Sequence, residues 1–351
     1  MLFTKKNHLI GIDIGSRSVK VAETIQKNEG QTLRNFGMAD LPQGAIVEGR
    51  VKEAETIVDT IKGLTQRLKI KEDNVATSIS GYSVIIKKIV VGNMSDEELH
   101  ENIQYEAEQY IPFDVQDVNI DFQILGAHES NPNQMNVMLV AAKAEVVDEY
   151  IELLEMADLS PRIIDVDVFA LEKAFEQSYF PEENSVALVD IGANKLNVNI
   201  VKNNVSAFTR DVAVGGEEIT AEIVNRLGCS FEEAEEIKLG KTPEKMPQQD
   251  LQDIVFSFVS SWCSEIRRVI DFYYSTYPNE TIKRIILSGG AVKTQGFLKH
   301  LAAETSSEVE FLDPFRNLEI NEKTYSKEYL SGVAPQAAIC MGLASRRVDD
   351  K

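Results

Sequence analysis

Gly11-Ile12-Asp13-Ile14-Gly15-Ser16-Arg17-Ser18 reads as the close of one strand and the opening of the next. Ile10, Ile12 and Ile14 alternate before Gly15, and Val19 and Val21 alternate after it, so Leu9 to Glu23 is predicted to form a β-hairpin around a tight turn. Val189-Asp190-Ile191-Gly192-Ala193-Asn194 repeats the device within Val186 to Val201, with Leu196, Val198 and Ile200 alternating beyond the turn. The two copies lie too far apart for a repeat array and point to a duplicated domain.

An aspartate at the end of a buried strand can hold Mg²⁺ through its water shell, because that ion keeps several waters and accepts few protein oxygens. Gly15 permits a positive φ in the turn and lets backbone N–H groups approach phosphate oxygens, with Ser16 and Ser18 as further donors. If the two turns face one another, Asp13 and Asp190 stand on opposite sides of one Mg–triphosphate. A third stretch, Ile286-Leu287-Ser288-Gly289-Gly290-Ala291, closes a strand ahead of Gly296-Phe297 at a helix start, and its paired glycines leave bare backbone for a purine or ribose. Each stretch alone is ordinary turn chemistry. The three together, in this order, carry the reading.

Between the hairpins, Ala54, Ile57, Val58, Ile61, Leu64 and Leu68 form an apolar stripe at helical spacing, followed by a strand at Val75 to Ser80. Residues 81–165 read as a separate α/β module. It has a strand (Val84 to Val91), an acidic helix (Asp96 to Tyr110) opened by a Ser95/Glu98 capping box, two strands (Val118 to Leu125, Met135 to Ala141) around a polar turn at His128 to Asn133, and a helix (Glu145 to Ala157). A helix over Val168 to Phe175 leads to a break at Pro181-Glu182-Glu183-Asn184. Helices are expected over Glu217 to Leu227, Phe231 to Leu239 and Leu251 to Tyr274, then a strand at Arg284 to Leu287.

The chain is 351 residues long with 43% apolar and 26% charged residues, a globular composition spread over more than one core. A formal charge of −20 opposes nonspecific binding to nucleic acid or anionic lipid. Cys229, Cys263 and Cys340 are odd in number and scattered, framing neither disulfides nor zinc and fitting a reducing cytoplasm. Met1 to Lys6 lack the apolar run of a signal peptide, and no stretch is apolar for long enough to span a membrane. His8, His100, His128 and His300 have no metal-ligand spacing, Trp262 sits on the apolar face of its helix, and Glu232 to Glu236 read as a solvated helix face.

The order of two phosphate hairpins and a Ser-Gly-Gly adenosine loop resembles the actin, DnaK-chaperone and sugar-kinase ATPase superfamily, and the resemblance spans almost the whole chain. It implies a duplicated α/β, ribonuclease H-like fold that binds ATP with Mg²⁺ between two halves. By the same resemblance Asp167, leading Asp167-Val168-Phe169-Ala170-Leu171, faces the attacking water beside Asp13 and Asp190. Ala337 to Leu343 is then the second interdomain helix, where small Ala338 and Gly342 allow a close crossing. Ala234-Glu235-Glu236-Ile237-Lys238 matches the helix that reaches ribose and adenine in relatives, making Glu235 and Lys238 nucleotide candidates, although solvated helix charges explain them equally well. The expected nucleotide contacts are Gly15, Ser16, Arg17, Ser18, Gly192, Ala193, Asn194, Gly215, Gly216, Glu235, Lys238, Gly289 and Gly290. No counterpart of the chaperones' catalytic lysine is identified, the direction of Lys20 being undetermined, and tight ATP binding with slow or absent hydrolysis is expected.

The α/β module narrows the resemblance to FtsA-like and PilM-like proteins. Tyr105-Glu106-Ala107-Glu108-Gln109-Tyr110-Ile111-Pro112-Phe113, Asp313-Pro314-Phe315-Arg316 and the stretch from Ala334-Pro335-Gln336-Ala337-Ala338 to Arg346 look like the PilM family. That family serves type IV pilus assembly at the cytoplasmic face of the inner membrane and binds the N-terminal cytoplasmic peptide of a PilN-like membrane protein. Tyr110, Ile111, Pro112 and Phe113 are the candidate wall of the peptide groove, the alternative being that Tyr110 and Phe113 pack the module onto the first domain, a reading that suits Phe113 better. The tail Arg346-Arg347-Val348-Asp349-Asp350-Lys351 lacks the amphipathic lipid-binding helix of FtsA-like division actins. Alternatives are such a polymerising actin, a small-molecule kinase of the superfamily, or the cytoplasmic part of a GspL-like type II secretion component. The expected division is 1–80 with 166–183 and 334–347 as a first subdomain, 81–165 as the insert, 184–215 with 281–333 as a second subdomain, and 216–280 as a helical cap.

Overall fold

The computed structural model describes residues 8–27, 30–180, 184–243 and 246–348. Pro181 to Glu183 of the expected break, the signal-peptide reading at Met1 to Lys6 and the last three residues lie outside them. The chain opens with an antiparallel meander of β1 (Ile10–Ile14), β2 (Ser18–Lys27) and β3 (Gly30–Asp40). A small ribbon of β4 (Ile46–Val47) and β5 (Arg50–Val51), helix α1 (Ala54–Arg67) and β6 (Asn74–Ile79) follow. Next come β7 (Val84–Gly92), α2 (Asp96–Ala107), β8 (Val118–His128) and β9 (Asn131–Lys143). Helix α3 (Ala144–Met156), β10 (Ser160–Val166) and α4 (Asp167–Ser178) complete the first half.

The second half opens with β11 (Ser185–Ile191), β12 (Leu196–Lys202) and β13 (Val205–Val212). It continues through α5 (Gly216–Leu227), α6 (Phe231–Lys238), α7 (Gln248–Thr276) and β14 (Ile282–Ser288). It ends with α8 (Phe297–Thr305), β15 (Glu308–Phe311) and α9 (Lys327–Leu343).

The first sheet has the order β10-β6-β1-β2-β3 and the second β15-β14-β11-β12-β13, so a three-stranded meander followed by two parallel crossovers occurs twice. The duplication read from the two Asp-x-Gly hairpins is therefore a duplication of topology. Each central strand is a buried run, broken only by the half-buried Asp190 in β11, as expected where a sheet is covered on both faces.

The insert is smaller than 81–165. Val146, Tyr150, Leu153 and Leu154 of α3 pack into the core of the first sheet, and β10 pairs in parallel with β6. The apolar face of α3 fits the β6-to-β10 crossover, leaving β7, β8, β9 and α2 as the inserted unit, with its own core around Ile89, Leu99, Ile103 and Val137. Helix α2 starts where its capping box predicts: Ser95 Oγ accepts from Glu98 N–H at 3.2 Å, and Ser95 N–H donates to the Glu98 carboxylate at 2.8 Å.

Helices α4 and α9 cross between the two sheets and share one core with Leu9 and Ala76 of the first half and Leu188 and Ile286 of the second. The crossing depends on Gly342, since a Cβ there would stand 1.8 Å from the Ala170 carbonyl oxygen. Among the described residues no helix is long and apolar enough to cross a membrane.

Candidate functional site

The two hairpins close identically. Gly15 N–H donates to Ser18 O at 3.0 Å, and Gly192 N–H donates to Lys195 O at 2.9 Å. In the β1–β2 register Asp13 faces Lys20, and in the β11–β12 register Asp190 faces Asn197. Facing residues of an antiparallel pair lie on one side of the sheet. Lys20 Nζ accordingly donates to Asp13 Oδ2 at 2.9 Å, in a mostly buried ion pair.

Asp167 begins α4 at the end of β10, which brings its carboxylate to the same cleft as Asp13 and Asp190. Its Oδ1 accepts from Ser78 Oγ at 2.7 Å and its Oδ2 from Lys195 Nζ at 3.1 Å. Asp190 accepts from Ser288 Oγ at 2.7 Å, because β11 pairs in parallel with β14 in the register that sets these residues side by side.

Electrostatics separates the three carboxylates. Burial raises Asp13 above the ordinary carboxylate range even against the pull of Lys20. Lys20 would be depressed by its own burial, but Asp13 holds it raised, so it stays charged. For Asp167 burial also pushes upward, yet Lys195 and hydrogen bonds from Ser80 and Ser78 outweigh it and hold the carboxyl below its usual value. Lys195 is held up by Asp167, Asp211 and Asp190 against its desolvation. Asp190 has no such partner: burial raises it to about 6, with only Ser288 and Lys195 pulling it back.

These groups face one cleft of about 1440 Å³ between the halves. Of the residues singled out from sequence, Asp13, Gly15, Ser16, Arg17, Ser18, Asp167, Asp190, Gly192, Ala193, Asn194, Gly216, Glu235, Lys238, Gly289 and Gly290 line it. Gly215 does not. It backs the second hairpin, where a Cβ would stand 2.3 Å from Ala193 O. Gly289 has a φ of +91° and would carry a Cβ only 2.2 Å from Ile191 O, so the Ser-Gly-Gly loop presses on the second hairpin as only glycine allows.

On the far wall, Lys238 Nζ donates to Glu235 Oε1 at 2.6 Å, Thr220 Oγ1 at 2.8 Å and Gly216 O at 3.2 Å, while Thr220 also donates to Glu235. Glu235 and Lys238 are thus a network tying α6 to α5 at the edge of the cleft. A second cavity of about 940 Å³, walled mainly by β13, α7 and the start of β7, borders the cleft at Ser80, Lys195 and Asp211. The carboxylates and turns converge on the larger one.

Sequence reasoning leaves the direction of Lys20 open and misses Lys195. The structure settles that direction: the β1–β2 register sets Lys20 opposite Asp13. Lys195 reaches Asp167 across the two halves, which no local pattern encodes. Among the described residues no cluster of three or more His, Cys, Asp or Glu side chains is close enough to cage a metal directly. The oxygen donors Asp13 and Asp190 suit a hard divalent cation that keeps its waters.

Tyr110 to Phe113 lie away from the cleft, just past α2. Ile111 is buried in the insert core, so it supports this segment from within instead of walling a groove. Pro112 is exposed, Lys87 Nζ lies 5.2 Å from the Tyr110 ring centroid, and Lys143 Nζ lies 4.8 Å from that of Phe113.

Residues 11–348 match the sequence profile of the family described as type IV pilus assembly protein PilM. A solved PilM–PilN type IV pilus biogenesis complex superposes with a TM-score of 0.86 at 26% identity, over 96% of this chain and 97% of that one. The ethanolamine utilization protein EutJ from Carboxydothermus hydrogenoformans follows at 0.57 and 13% identity, over 96% and 89%. A diol dehydratase-reactivating factor in nucleotide-free form gives 0.54 and 10% identity, over 96% and 98%. The last two share the fold alone. With an actin-like ATPase fold, an α/β insert and a profile match over nearly its full length, the chain belongs to the type IV pilus assembly protein PilM family.

Proposed function

We propose that this chain is an ATP-binding, actin-like scaffold of the type IV pilus assembly platform, holding Mg–ATP in its cleft and the N-terminal cytoplasmic peptide of a PilN-like membrane protein on its surface. The observation that carries the nucleotide reading is the convergence of both hairpins, Asp13, Asp167 and Asp190 on one cleft. In this reading the turn N–H groups at Gly15 to Ser18 and Gly192 to Asn194 receive phosphate oxygens, and the loop at Gly289-Gly290 receives the nucleoside. Three carboxylates against Lys20 and Lys195 leave the centre no net positive charge for a triphosphate. A divalent cation is therefore needed to bring the anion in, and Asp190, the carboxylate with no lysine of its own, is its best-suited holder with Asp13 opposite.

Hydrolysis is slow or absent in this account. Asp167 is placed to orient a water, but Lys195 and Ser78 already occupy its two oxygens and its lowered pKa makes it a poor base. Turnover is expected below about 1 s⁻¹.

The partner reading rests on family membership and on the likeness to the PilM–PilN complex. Tyr110, Pro112 and Phe113 offer half-buried rings and an exposed proline beside two lysines, a surface suited to an extended apolar peptide with an acidic flank. Attachment to the inner membrane's cytoplasmic face then comes through the partner. Titration of a PilN-type N-terminal peptide against wild type and a Tyr110→Ala, Phe113→Ala variant tests the surface, and unchanged affinity removes it. Repeating the titration with Mg–ATP present shows whether the two sites are coupled, as they must be, reciprocally, if nucleotide gates partner binding.

A further inference from the structure

Arg17 sits in the first hairpin among residues expected to meet phosphate, yet its guanidinium is turned across the mouth of the cleft. Its Cζ lies 4.5 Å from the ring centroid of Phe231, the first residue of α6 in the other half. Its Nη1 is buried with no protein hydrogen-bond partner, and the Phe231 face is the aromatic surface against which the guanidinium lies. A second contact spans the same mouth: Gln43 Nε2 donates to Glu217 Oε1 at 2.7 Å, from the loop after β3 to the start of α5.

The two contacts are mechanically joined on each side. Leu41 N–H donates to Arg17 O at 2.9 Å, tying the Gln43 loop to the hairpin that carries Arg17. Across the cleft, Glu217 N–H donates to Ala193 O at 2.8 Å, and α5 packs on α6 through Ile219, Ile223, Ala234 and Ile237. Each lip therefore moves as a unit, and separating them means unstacking Arg17 from Phe231 and breaking Gln43 from Glu217 together.

We infer that Arg17–Phe231, seconded by Gln43–Glu217, is a clasp across the cleft mouth that sets how fast a nucleotide enters and leaves. The inference rests on the cleft being the nucleotide site only for its consequence; the clasp contacts themselves join protein groups alone. A contact that holds the mouth shut equally with and without nucleotide slows both directions. Its loss raises association and dissociation rates together and moves the equilibrium constant little. A ring that simply stacks on the ligand would instead alter dissociation alone.

The test has two arms, run on the full chain for wild type, Phe231→Ala, Phe231→Tyr and Gln43→Ala. Hydrogen exchange of the nucleotide-free protein reads the clasp directly. Amides of the lips, at 15–18 and 216–220, should exchange about five- to thirtyfold faster in F231A, somewhat faster in Q43A, and at the wild-type rate in F231Y, which keeps the aromatic face. Stopped-flow binding of a fluorescent ATP analogue with Mg²⁺ reads the consequence, and both rates should rise in F231A by a similar factor. Unchanged lip exchange in F231A overturns the clasp, whatever the nucleotide does. Faster exchange with only the dissociation rate raised overturns its role at the mouth and makes Phe231 a ligand contact. Faster exchange in a protein whose wild type binds no nucleotide leaves the clasp standing and removes the nucleotide assignment.

Discussion

Lys20 and Asn197 occupy the same position on two copies of one hairpin, each facing its aspartate across an antiparallel pair, but only Lys20 bonds to it. Asn197 instead donates to Asp211, and its own Oδ1 is left without a partner. The duplicated site is therefore electrically asymmetric. Asp13 arrives already compensated, and Asp190 is the carboxylate with capacity left for a cation.

Removing Lys20 exposes the cost of that asymmetry. Lys20→Met leaves the Asp13 carboxylate buried without its cation, and urea unfolding at pH 7 should show a loss of about 3 kcal/mol. The variant's Asp13 is pushed further up, so the loss should shrink as the pH falls and the group takes its proton.

Asp190 predicts the reverse behaviour. Its folded pKa, about 6, lies above its unfolded value, so the ionised group opposes folding above that pH and the opposition fades as the pH drops through about 6. Metal-free Asp190→Asn should be more stable than wild type at pH 7.5, by on the order of 2 kcal/mol, with the difference nearly gone at pH 4. Unfolding midpoints at the two pH values provide the check.

Glu172 links α4 to the second sheet, accepting from Ser206 Oγ and from Asn199 Nδ2, with Glu176 and Arg346 the charged groups nearest in influence. Burial lifts it to about 7. Because that is above its unfolded value, wild type should gain stability as the pH falls through 7 and on toward the unfolded value, and Glu172→Gln should flatten the profile by about 1 kcal/mol between pH 8 and 6. Melting temperatures of the two proteins across pH 6–8 would show it.

The α4–α9 crossing has no room for one methyl group. Gly342→Ala places a carbon where the Ala170 carbonyl stands, and backbone on both sides prevents a side-chain adjustment. A loss of about 3 kcal/mol or more in thermal or urea unfolding is expected, at the upper end for overpacking.

What could be read in advance followed from local pattern. The hairpins announced themselves because alternation stops at Asp-x-Gly and resumes, and Ser95 with Glu98 marked the start of α2 through bonds three residues apart. Strands β3, β10 and β13 carried no clean alternation, being partly covered by neighbouring elements, and were not anticipated. The range 81–165 overruns the insert because the apolar face of α3 identifies a buried helix without saying which core buries it. Within the site, residue types and turns were legible, whereas Lys195 on Asp167 and Arg17 on Phe231 join residues from different halves, and only the folded chain specifies them.

The central claim is that both hairpins hold one metal-bound triphosphate. Isothermal titration of ATP into wild type and Asp190→Asn, each with Mg²⁺ and with EDTA, addresses it most directly. The account predicts one nucleotide per wild-type chain, an affinity at least about tenfold weaker without Mg²⁺, and little Mg²⁺ dependence in the variant. Absence of binding to wild type, or an undiminished Mg²⁺ dependence in Asp190→Asn, would contradict it.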